Sequence, residues 1–77
     1  MQVWVVILGT DYEGGDVQCV LAQRPQLAPL VEAYPPTLSD TWTVESDSPT
    51  RLRLTSGCDY LLVQQMRVLP SVPKRTL

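Results

Sequence analysis

Val3-Trp4-Val5-Val6-Ile7-Leu8, within residues 2–10, is rich in β-branched residues and carries a tryptophan. That composition suits a strand. Strand alternation sorts Val3, Val5 and Ile7 onto one face and Trp4, Val6 and Leu8 onto the other. Both sets are apolar, the mark of a central strand covered on both sides. In a chain of 77 residues one cover is a helix. The other set must meet a partner or stay exposed. Trp4, Val6 and Leu8 are assigned to that interface.

Working outward, Asp11-Tyr12-Glu13-Gly14-Gly15-Asp16 reads as a turn that needs positive φ. A second strand follows at 17–22, with Val17, Cys19 and Leu21 on one face, so the chain opens with a β-hairpin. Leu27, Leu30, Val31 and Tyr34 have the i, i+3, i+4, i+7 spacing of one amphipathic helix. It starts at Pro25 or Gln26 and is stopped by Pro35-Pro36, with Pro29 tolerated near its first turn. Residues 41–45 alternate as a half-buried strand, and Ser46-Asp47-Ser48-Pro49 reads as a turn. A strand at 51–55 carries Arg51 and Arg53 on one face. After the turn Ser56-Gly57-Cys58-Asp59, a last strand runs over 60–69, ended by prolines.

The expected fold is α+β: a small antiparallel sheet with one helix on one face, in the chain order β-β-α-β-β-β. Residues 1–70 form a single domain and 71–77 a loose tail.

Composition narrows the function. Charged residues are only 18% of the chain against 44% apolar. A small domain so poor in charge must cover apolar surface with another chain, so a protein partner or a homo-oligomer is expected. The net charge of −2 offers no basic footprint for nucleic acid. No apolar run is long enough for a membrane helix. The apolar start lacks a cationic leader, and two cysteines without a secretory signal point to a reducing cytoplasm.

Histidine is absent. That removes the commonest general base and the commonest metal ligand, so no enzyme activity, metal or cofactor is expected. Cys19 and Cys58 do not form a C-x-x-C redox motif. Asp11, Glu13 and Asp16 lack the spacing of a calcium loop. With Tyr12, the acidic turn reads instead as a recognition loop, and Tyr12, Glu13 and Asp16 join the interface assignment. An alternative working surface is a face lined by Arg51, Arg53 and Arg67 beside Tyr60, suited to a nucleotide-like anion held by an oligomer.

Val3-Trp4-Val5-Val6-Ile7, the Asp11-Tyr12-Glu13-Gly14-Gly15 loop, Val20-Leu21 and Tyr60-Leu61-Leu62-Val63-Gln64-Gln65-Met66-Arg67-Val68 together resemble a loose group of very small phage and bacterial proteins of unassigned function. The resemblance covers the first 35 residues and the last strand. The group's usual Ser or Thr helix cap is replaced here by Gln23-Arg24-Pro25. What the resemblance implies is a context of small accessory genes, with no activity and no catalytic residue to carry over. The two-faced first strand, the low charge and the absence of catalytic residues make the expected function a protein-interaction module, an accessory inhibitor or adaptor acting on a host protein.

Overall fold

A computed structural model of the chain describes residues 1–36 and 41–69. Among these, five strands and one short helix follow in the order β1 (Gln2–Thr10), β2 (Gly14–Leu21), α1 (Leu27–Ala33), β3 (Thr43–Ser48), β4 (Arg51–Ser56) and β5 (Asp59–Arg67). The chain order β-β-α-β-β-β matches the sequence reading. The order across the single sheet is β2-β1-β5-β4-β3, with every neighbouring pair antiparallel. The opening hairpin thus attaches through β1 to the last strand of the β3-β4-β5 meander. β1 is an interior strand, flanked by β2 and β5, but a helix covers only one of its two apolar faces. The expected tail at 71–77 lies outside the described residues.

Turn chemistry fixes the first hairpin. Gly14 takes φ 77°, which a side chain would strain. The second strand differs from its expected pattern. Val6 lies opposite Cys19 but Ile7 lies opposite Val17, so Gln18 is the extra residue of a β-bulge. Val17 therefore shares the face of Ile7, not that of Cys19 and Leu21. A second bulge, at Glu45, separates Val44 opposite Leu54 from Ser46 opposite Arg53. Residues 46–48, expected as a turn, continue β3. Polar residues suffice there because an edge strand needs only its ladder bonds on one side.

The helix spans seven residues, shorter than the ten expected. Gln26 caps it without a side-chain hydrogen bond, and no acidic residue stands in its first turn. Pro29 is its third residue, where no intrahelical N–H is needed. A helix this short is not stable alone. Packing holds it: Leu30 is buried among Trp4, Val6, Leu52, Leu54, Leu61 and Val63, with Val31 and Tyr34 against the same cluster. The Trp42 indole N–H donates to the Tyr34 carbonyl at 2.7 Å and ties the helix end to the approach to β3.

The core is one layer between the helix and one sheet face. Its rows follow from register: Cys19, Val6, Val63 and Leu52 in one, Leu8, Leu61, Leu54 and Val44 in the next. Arg24, between β2 and the helix, extends this cover. Its guanidinium lies 5.4 Å above the Trp4 ring and pairs with Asp47 of β3 at 2.6 Å.

Candidate functional site

The core side of β1 proves to be Trp4, Val6 and Leu8. This corrects the interface assignment of those three residues. The reason is the company each face keeps across the strands. Trp4 and Val6 lie opposite Leu21 and Cys19, and Val6 also meets Val63 and, one strand on, Leu52. That face is apolar over four strands, so the helix covers it. The alternation of Leu52 and Leu54 against Arg51 and Arg53 marks the core side of β4, and only the register through β5 carries that side to β1.

The other set, Val3, Val5 and Ile7, lies on the helix-free face. Register adds Val20 opposite Val5, Val17 and Leu62 opposite Ile7, and Met66 opposite Val3. The bulge at Gln18 delivers Val17 to this face. Val17, Val20 and Met66 are 60, 57 and 48% exposed. Gln64 is the one polar side chain within the patch, opposite both Val5 and Arg51. Contiguous exposed apolar surface of this kind marks interaction sites.

One border of the patch is a polar cluster around Arg53. Its Nε donates to the Glu45 carboxylate at 2.9 Å, and its Nη2 lies 3.6 Å from the Asp11 carboxylate. Its guanidinium stacks 4.9 Å from the Tyr60 ring centroid. The bulge at Glu45 aims that carboxylate inward over the sheet. Tyr60 in turn lies across the glycines of the first hairpin: a Cβ on Gly15 would come within 2.6 Å of its hydroxyl.

The arginine face expected at Arg51, Arg53 and Arg67 does not assemble. Arg51 lies opposite Gln64 and Arg53 opposite Leu62, on the open face. Arg67 lies opposite Gln2 at the far end of β5, where alternation turns it to the other side. Arg53 is already engaged by two carboxylates and Tyr60. What would be a three-pronged anion clamp is one exposed arginine and one neutralised one.

The acidic turn is likewise divided. Tyr12 is 85% exposed, and the Glu13 N–H donates to Thr10 Oγ1 at 3.2 Å. Asp11 turns to Arg53, whereas Asp16 lies opposite Leu8 on the helix side. Among the described residues no three or more Cys, Asp or Glu side chains gather as a metal would require.

The Asp11 N–H donates to the Cys58 carbonyl at 2.9 Å, which locks the first turn to the β4-β5 turn. Tyr12 consequently sits at Cys58. A side-chain hydrogen bond to Cys58 raises its phenol above the ordinary value of 10.0, with charge repulsion from Cys58 adding to it. Cys19 and Cys58 are both free thiols.

A feature without a sequence signal is an apolar cleft of about 310 Å³ between α1 and β3-β4, walled by Leu27, Val31, Pro35, Trp42, Val44 and Leu54. The connection at 37–40, between its neighbours Pro36 and Thr41, lies outside the described residues. Among the described residues no helix is long and apolar enough to cross a membrane. Compared with protein-family models, curated proteins and solved structures, the chain matches none.

Proposed function

We propose that this chain is a non-enzymatic protein-interaction module that works through the open face of its sheet. The observation that carries the reading is the exposure of Val17, Val20 and Met66, around the half-buried Val3, Ile7 and Leu62 and the buried Val5, on a face the helix does not cover. An apolar patch over β2, β1 and β5 is ordinarily buried against another layer. The face is rimmed by Arg51, the Arg53 cluster and Tyr12, residue types suited to anchoring a protein partner. An inhibitor or adaptor of the accessory kind would need such a face.

The test is site-specific photo-crosslinking in the native cell, with the reactive side chain at position 20 or 66, or at position 32 on the exposed side of the helix. Covalent protein adducts are expected from 20 and 66, weakened by Val17→Lys in the same chain, and not from 32. Equal adducts from 32, or none from the sheet face, would overturn the reading.

A further inference from the structure

We infer that the cleft between α1 and the β3-β4 edge of the sheet is a binding site for a small neutral apolar molecule of about two aromatic rings. The cleft lies on the helix side of the sheet, so the inference does not rest on the reading of the open face.

The first argument is apolar surface left unburied inside a hollow. The helix has only seven residues, and Leu30 is the one it buries in the core. Leu27 and Val31 instead share the walls of the cleft with Val44 and Leu54. Register sets Val44 beside Leu54 at the end of one core row. Leu27 and Val44 remain 46 and 47% exposed although both line the same hollow. An apolar guest would take both away from water at once.

The second argument is that the walls are set in advance. The Trp42 indole is anchored through its N–H to the Tyr34 carbonyl at 2.7 Å, which opposes its collapse into the space. Pro35 and Pro36 on the same rim have φ fixed by their rings. Leu54 is fully buried and does not move to fill the hollow. A site with fixed walls loses little conformational freedom when a guest enters.

Volume and charge name the guest. The cleft of about 310 Å³ is roughly twice the ~150 Å³ apolar cavity that takes up a single benzene ring. It reaches the ~300 Å³ at which small-molecule sites begin. No Asp, Glu, Lys or Arg stands among the described residues that wall it. A charged guest would lose its hydration there and gain no partner. The Trp42 N–H is already engaged, so a guest with few polar atoms fits best.

The test is titration of the full chain with N-phenylnaphthylamine, a neutral dye that brightens when it leaves water, together with thermal melts. Binding of one dye per chain is expected, with a melting transition that rises as dye is added. Naphthalene should displace the dye. Naphthoate, the same rings carrying a carboxylate, should not do so at equal concentration. Val44→Glu brings a charge into the wall, and Leu27→Trp fills the space. Both replace half-exposed side chains, so the variants should still melt cooperatively. Each should weaken dye binding by about tenfold or more. Val20→Lys and Met66→Lys, on the open face, should leave it unchanged.

The absence of saturable dye binding overturns the inference. So does equal competition by naphthoate, or indifference to both Val44→Glu and Leu27→Trp. Loss of the dye on Val20→Lys and Met66→Lys instead would put it on the open face, which overturns the cleft as its site and leaves the docking reading standing. Binding that appears only after Leu38→Ser would assign the cleft to the chain's own 37–40 connection and overturn the inference as well.

Discussion

The guanidinium of Arg24 lies 5.4 Å above the Trp4 ring while its other edge grips Asp47, across the sheet from the strand that leads into it. The same side chain donates to the Ser48 carbonyl at 2.8 Å. A single side chain, three positions ahead of the helix, thus adds to the cover that the seven-residue helix gives the core. It also fastens the edge strand β3, whose own residues are all exposed.

Arg24→Ala should destabilise the fold by about 1–2 kcal/mol. The lost stacking and the half-exposed ion pair are each worth up to about 1 kcal/mol. Arg24→Lys should recover less than half, because an ammonium cannot stack on Trp4 and fork to Asp47 and Ser48 together. Urea denaturation reads both. A loss within error for Arg24→Ala would mean that the helix alone holds the core.

The first hairpin depends on two bare Cα atoms. A Cβ on Gly15 would meet the Tyr60 hydroxyl at 2.6 Å and the Ile7 Cγ2 at 2.7 Å. A Cβ on Gly9 would instead collide with the backbone of Gly14 and Gly15, which cannot swing aside. Gly15→Ala should cost about 1–3 kcal/mol as overpacking, and Gly9→Ala more. In a Tyr60→Phe background the cost of Gly15→Ala should shrink by at least about 0.5 kcal/mol, the signature of direct coupling. Equal costs in both backgrounds would place the strain elsewhere.

These contacts mark the limit of what the sequence discloses. Element type and chain order were legible because alternation, the helical spacing from Leu27 to Tyr34 and the prolines at 35 and 36 agree. The choice of face on β1 was not, because both of its faces are apolar and only register with β4 and β5 decides between them. The two bulges were also hidden. Each inserts one residue against a smooth alternation, and those insertions move Val17 onto the open face and aim Glu45 at Arg53. Arg67 was misplaced for a related reason: strand parity is preserved only if the partner register is known.

Ser56 is buried at the end of β4, and its hydroxyl has no hydrogen-bond partner among the described residues. An unsatisfied buried hydroxyl costs about 1–3 kcal/mol, so its removal should not hurt. Ser56→Ala is expected to be neutral or to stabilise by about 1 kcal/mol in the same urea assay. A clear loss of stability would reveal a partner for that hydroxyl.

Two tyrosines report on the two thiols. Tyr34 donates its O–H to Cys19 Sγ at 3.5 Å, and Tyr12 is hydrogen-bonded to Cys58; in each case the bond to the neutral phenol is the largest cause of a raised pKa. Cys58→Ala should therefore bring one tyrosine back down toward the ordinary value of 10.0, and Cys19→Ala a second. Ultraviolet difference titration resolves them. The consequence for stability has a fixed sign. The unfolded chain gives up these protons first, so stability is intact below the ordinary tyrosine pKa. It falls as pH rises past that value and goes on falling until the folded phenols ionise. The wild type should lose stability above pH 10.0 more steeply than the chain lacking both thiols. Parallel curves would show that neither sulfur holds its phenol in the folded state.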